Sequence, residues 1–141
     1  MLDLAAEGRY GETSSHETQI RRIDAMKTGA IIAFAVEAGA IVARSDEAAR
    51  SDLLRFGRAV GQAFQIADDL LDREASPEAV GKRTGKDREH GKATLIDLLG
   101  LEAARQECSR LVDEALAALH PFGDKADVLR QAARFTVTRK S

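Results

Sequence analysis

Fifteen consecutive residues, GAIIAFAVEAGAIVA (Gly29 to Ala43), carry a single charge, Glu37, among small and apolar side chains. The run is shorter than the roughly 20 residues a membrane-spanning helix needs. It is expected to be a buried helix of a water-soluble fold. A helix this apolar nearly all the way round leaves no solvated face, whereas each helix of a small bundle ordinarily keeps one. The run therefore predicts a larger α-helical body around it; a dimer interface over the Ala- and Gly-rich surface is the alternative.

The rest of the chain is helical in character too. Ala, Leu, Glu, Arg and Lys dominate, there are only two prolines, and alternating β-branched runs are scarce. Residues 1–6 read as the tail of a helix ending at Gly8, followed by the loop GRYGETSS. Ser14 and Glu17 form a capping-box pattern ahead of a helix over 16–43, bent near Lys27-Thr28-Gly29. The polar break RSDEAARSD leads into a helix over 47–73. A glycine-punctuated loop, 81–92, precedes a helix over 94–119 with Leu95, Leu98, Leu99, Leu111, Val112, Ala115 and Leu119 on its apolar side. His120-Pro121-Phe122-Gly123 breaks the chain before a last helix over 125–138, with Asp124 as candidate cap. The expectation is an all-α bundle of four to five helices.

With 141 residues, 44% apolar and 31% charged, the chain has the balance of a single globular domain. A net charge of −2 gives no basic field for nucleic acid. The start, MLDLAAEGRYGE, has acids where a secretion signal carries bases. The one cysteine, Cys108, has neither a disulfide partner nor a companion at metal-ligand spacing, so a cytoplasmic location is expected.

Chemistry concentrates in FQIADDLLD, residues 64–72. At 100° per residue, Gly61, Gln65, Asp68 and Asp72 share one face of the 47–73 helix, with Asp69 beside it. Gly61 is expected to leave room above the acids. Val60, Ala63, Phe64, Ala67, Leu70 and Leu71 are free to pack. Hard oxygen ligands in a line suit Mg²⁺, which keeps waters and substrate phosphates in its shell; a solvated acidic face is the plainer reading of the same residues. The loop that follows holds Lys82, Arg83, Lys86, Arg88 and Lys92 against Asp87 and Glu89, either to neutralise a metal-bridged phosphate or as a mixed-charge surface loop. Lys27 and Thr28 stand at the polar edge of the apolar helix, where Lys27 either snorkels to solvent or anchors the same phosphate.

In that order LDLAAEG (2–8), KTG (27–29), GQAFQIADDLLD (61–72) and GKRTGKDREHGKATLIDLLG (81–100) resemble the C-terminal half of the trans-isoprenyl diphosphate synthases, the farnesyl and geranylgeranyl diphosphate synthases. The resemblance covers essentially the whole chain. It implies an all-helical bundle around an apolar cavity, usually homodimeric, that condenses an allylic diphosphate with isopentenyl diphosphate. It further implies that Asp68, Asp69 and Asp72 bind Mg²⁺, and that Lys27, Thr28, Gln65 and Lys82 contact the allylic diphosphate. The family's first aspartate-rich motif and its upstream basic residues have no counterpart here; the only DDxxD is at 68–72. Residues 1–141 thus read as the C-terminal portion of a polyprenyl synthase domain, a prenyltransferase-type chain with one Mg²⁺-diphosphate half-site and incomplete activity alone. The alternative is a non-catalytic helical partner, dimerising with itself or pairing with a full-length synthase, or a gene relic. Neither nucleic acid nor membrane insertion is expected.

Overall fold

The computed structural model describes residues 28–75 and 95–138. Every element among them is helical: α1 (Ala30–Val42), α2 (Glu47–Ala75), α3 (Leu95–Leu99), α4 (Leu101–Ala118), a 3₁₀ segment (His120–Ala126) and α5 (Asp127–Thr138). No described helix is long and apolar enough to cross a membrane.

α2 is the central element because one face of it is apolar and packs on α3, α4 and α5, while its glycines meet α1. Phe56, Ala59, Val60, Ala63, Ile66, Ala67 and Leu70 are all buried. Near its C-terminal end, Ala63, Ile66, Ala67 and Leu70 pack with Leu95 and Ile96 of α3 and with Ala104, Cys108, Leu111 and Val112 of α4. Near its middle, Phe56, Ala59 and Val60 pack with Ala115, Ala118 and Leu119, and with Ala133 of α5. α4 therefore runs antiparallel to α2.

On its other side α2 meets α1, also antiparallel. Gly61 lies against Gly29 and Gly57 against Ala33, while Arg50 pairs with Glu37 at 3.5 Å. A tight turn connects the two. Ser45 N–H donates to the Ala40 carbonyl and Arg44 N–H to the Ile41 carbonyl, both at 3.0 Å, with Arg44 in the left-handed region at φ 54°. This is the six-to-one and five-to-two pattern that closes a helix C-terminus. Asp46 then caps α2 by accepting from Ala49 N–H at 2.8 Å.

Three expectations are corrected. The helix expected over 94–119 is interrupted at Gly100, whose φ of 83° and ψ of 163° no α-helix accommodates; the break leaves Leu98 and Leu99 exposed, while Leu95, Leu111, Val112, Ala115 and Leu119 are buried as expected. The last helix starts at Asp127, because residues 120–126 wind as 3₁₀ with a non-helical Gly123; Asp124 accepts from Asp127 N–H with its backbone carbonyl rather than its side chain. Finally, among the described residues α1 is enclosed on one side only: Gly29, Ala33 and Ala40 are buried, but Ile31, Phe34, Ile41 and Val42 are 70%, 71%, 52% and 84% exposed, since α2 is the described helix that packs extensively against α1. The helical tail at 1–6, the capping box and the 81–92 loop lie outside the described residues.

Candidate functional site

The antiparallel pairing of α1 and α2 brings the start of one helix to the acidic end of the other. Gly29 and Gly61 meet backbone to backbone: a Cβ on Gly61 would stand 2.6 Å from the Gly29 Cα and 3.0 Å from its carbonyl oxygen. One turn back along α2, a Cβ on Gly57 would stand 2.9 Å from the Ala33 Cα. Each contact needs a residue without a side chain. Gly61 thus serves helix contact, and does not leave open space above the acids as expected from sequence. The signal was present as small residues four apart on both helices, Gly57 and Gly61 on α2, Gly29 and Ala33 on α1.

Thr28 immediately precedes the crossing, in a π-helical turn with Gly29 where the sequence suggested a bend. It is half-buried. Gln65 lies one turn beyond Gly61 on α2, about 6 Å along the axis, and is half-buried, as are Asp68 and Asp69; Asp72 is exposed in the last full turn. Gln65 Nε2 donates to Asp69 Oδ1 over a long 3.5 Å, so the amide is turned to the carboxylate on the flank of the face. At the same end Arg73 pairs with Asp97 at 3.3 Å, joining the end of α2 to α3. Thr28, Gln65, Asp68, Asp69 and Asp72 therefore gather at one end of the bundle. Lys27 and Lys82, the two cations of the expected site, lie outside the described residues.

The donor set is all oxygen, carboxylates with a hydroxyl and an amide nearby. Among the described residues no group of three His, Cys, Asp or Glu side chains converges as a metal cage. Aspartates along one helix cannot enclose an ion. They can hold two or three positions of an octahedral Mg²⁺ whose remaining ligands are waters and phosphate oxygens. The residues fit an open Mg²⁺-phosphate site and lack the imidazole and thiolate donors of a structural zinc site.

Two neighbouring features had no counterpart in the sequence reading. A groove of about 350 Å³ runs between α1 and α2, lined by Gly29, Ala30, Ala33, Phe34, Glu37, Leu54, Arg58 and Gln62. Behind α2, Cys108 Sγ donates to the Ala63 carbonyl at 3.3 Å, pinning α4 to the helix that carries the aspartates. Burial, with Glu107 adding to it, pushes this thiol up to about 11, so it is neutral and unreactive at ordinary pH.

The family model for polyprenyl synthetases matches residues 1–134. A dimethylallyltranstransferase of Fischerella ambigua is 40% identical over 140 residues, 95% of this chain and 40% of that one. The farnesyl diphosphate synthase of Escherichia coli is 39% identical over 127 residues, 89% of this chain and 41% of its own length. Among solved structures, an FPP/GFPP synthase from Zymomonas mobilis superposes with a TM-score of 0.81 at 43% identity, covering 96% of this chain and 43% of that one. The chain thus spans less than half the length of these relatives. With a family model covering nearly its whole length, the chain belongs to the polyprenyl synthetase family, that of the trans-isoprenyl diphosphate synthases.

Proposed function

We propose that the acidic end of α2 is the Mg²⁺-diphosphate half-site of a prenyl transfer, in which an allylic diphosphate condenses with isopentenyl diphosphate. The observation that carries this reading is the Gly29–Gly61 crossing, which sets Thr28 at the same end of the bundle as Gln65, Asp68, Asp69 and Asp72. Asp68, Asp69 and Asp72 are the metal ligands; Thr28 and Gln65, with Lys27 and Lys82 assigned from sequence, contact the diphosphate. Mg²⁺ bound there supplies positive charge against the negative charge that develops on the departing diphosphate. The chain's own work is to fix those acids in register and to offer hydroxyl, amide and ammonium donors to the leaving group. The matched relatives named as farnesyl diphosphate synthases and dimethylallyltranstransferase support this substrate class.

These 141 residues correspond to the C-terminal portion of the synthase domain. A first acidic motif and isopentenyl diphosphate-binding bases are not among them, so the half-site binds but does not turn over by itself. Complete activity calls on helical polypeptide that carries those residues; pairing with a full-length synthase brings them, whereas a homodimer of this sequence does not.

Calorimetric titration tests the half-site. Inorganic pyrophosphate binds in the presence of Mg²⁺, more weakly in its absence, and hardly at all to Asp68→Ala. No Mg²⁺-dependent binding to the wild-type chain sinks the proposal. Condensation of the two diphosphates at ordinary enzyme rates by the chain alone sinks the statement that it is incomplete.

A further inference from the structure

Arg73 stands where the acidic face of α2 gives way to the face that packs on α3. At 100° per residue it is about 40° round the helix from Asp69 and about 20° from Ile66 on the other side. Ile66 belongs to the core that includes Leu95 and Ile96 of α3, whereas Asp69 accepts from Gln65 Nε2. The Arg73 guanidinium is drawn to the α3 side, where its Nη2 donates to Asp97 Oδ1 at 3.3 Å. Asp69 is a second acceptor within reach. An acid four residues ahead of a base on one helix is the favourable order for an ion pair.

The pair with Asp97 does little to hold the two helices together. Its side chains are 58% and 44% exposed, and exposed pairs contribute little in water. Leu95 and Ile96, only 3% and 6% exposed, anchor α3 against α2 without it. What the pair decides is which carboxylate the guanidinium occupies. Gln65 offers Asp69 a neutral amide over a long 3.5 Å, which a dication displaces. A guanidinium on Asp69 is a charge-assisted contact, roughly twice as strong as a neutral one. It also sets a positive charge beside the position of the metal.

We propose that Asp97 is a positioning residue of the acidic site: it holds Arg73 on the α3 side and so keeps that cation from competing with Mg²⁺ for Asp69. The proposal rests on the reading of Asp68, Asp69 and Asp72 as Mg²⁺ ligands. It adds a residue from another helix that governs their affinity for the ion. Asp68, Asp69 and Asp97 each take part in further interactions, and residues 76–94, between Arg73 and Asp97 in sequence, contain other cations. The contribution of Arg73 alone is therefore isolated by altering Asp97 in its presence and in its absence.

Calorimetric titration with Mg²⁺, at fixed inorganic pyrophosphate and low ionic strength, compares wild type, Asp97→Asn, Arg73→Gln and the double variant. Asp97→Asn is expected to bind Mg²⁺ about two- to threefold more weakly, the order of one competing helix ion pair. Arg73→Gln binds at least as tightly as wild type, and the double variant matches Arg73→Gln. Asp97→Glu, which keeps the carboxylate, matches wild type. Unchanged binding in Asp97→Asn overturns the proposal. Equal weakening by Asp97→Asn with and without Arg73 also overturns it, because Asp97 then acts through its own charge. Equal weakening by Arg73→Gln and Asp97→Asn overturns it too, and makes the pair a structural clip. Each of these results, seen beside Mg²⁺-dependent binding in the wild type, leaves the half-site reading standing. A wild-type chain without such binding overturns that reading and this proposal together.

Discussion

Gly61 and Gly29 touch through their backbones, and a single methyl group on Gly61 would lie 2.6 Å from the Gly29 Cα. Alanine ordinarily gains about 0.5–1 kcal/mol over glycine inside a helix. Here it meets main chain, which cannot rotate away, and overpacking of this kind costs about 1–3 kcal/mol or more. Overpacking wins. Gly61→Ala is expected to lower unfolding free energy by roughly 2 kcal/mol in urea titrations, whereas Gly39→Ala, with nothing within 4 Å, is expected to be neutral or stabilising.

Ligand linkage distinguishes a working half-site from a merely acidic helix end. A ligand at a hundred times its dissociation constant stabilises the native state by about 2.7 kcal/mol. For a chain of this size that is a rise in Tm of roughly 5–10 °C. Mg²⁺ with pyrophosphate is expected to raise the wild-type Tm by this order. Asp68→Ala loses most of the rise, and Asp113→Ala, exposed on α4, retains it. If the wild-type melt does not move, the aspartates are a solvated face.

Backbone conformation gives a pair of predictions with opposite sign. Arg44 occupies the left-handed region at φ 54°, where a Cβ costs about 1 kcal/mol; Arg44→Gly is expected to stabilise by several tenths of a kcal/mol. Gly100, at φ 83° and ψ 163°, occupies a region essentially reserved for glycine, and Gly100→Ala is expected to destabilise by about 1–3 kcal/mol. Chemical denaturation of the two variants side by side reads both.

The pH dependence of Cys108 follows from its environment. Its thiol titrates at about 11 when folded against 9.0 for an unperturbed thiol, so folding favours the protonated form. The stabilisation is fully present below pH 9 and is lost as pH rises from 9 toward 11, by roughly 2–3 kcal/mol in all. Cys108→Ser keeps a donor for the Ala63 carbonyl but does not titrate there. The difference in stability between wild type and Cys108→Ser should therefore shift in favour of the serine variant across that window, and a constant difference counts against the assignment.

How much of this was legible in the sequence varied with the range of the interaction. α2 was readable almost to its ends, because the periodicity of Phe56 through Leu70 is local and strong. The all-α class and the residues of the acidic end were readable for the same reason. The break at Gly100 was missed: a lone glycine is tolerated inside many helices, and only packing of Leu95 and Ile96 against α2 reveals the change of direction. The role of Gly61 was misread because its neighbour is 32 positions away in sequence, although small residues four apart on both helices carried a hint. The bond from Cys108 to Ala63 depends on the register of α4 against α2, which no local pattern encodes.

The anchoring of α2 and α3 has a consequence for the stretch between them. Leu95 and Ile96 pack beside Ala67 and Leu70, and Arg73 pairs with Asp97, so the chain returns to the place it left. Residues 76–94 thus leave and re-enter the described fold at one end of α2, and α3 is held there by its own contacts. Doubling a connection between two such points costs only about 0.6 kcal/mol in closure entropy. The seating of α3 beside the aspartates is therefore insensitive to how many residues separate the two helices.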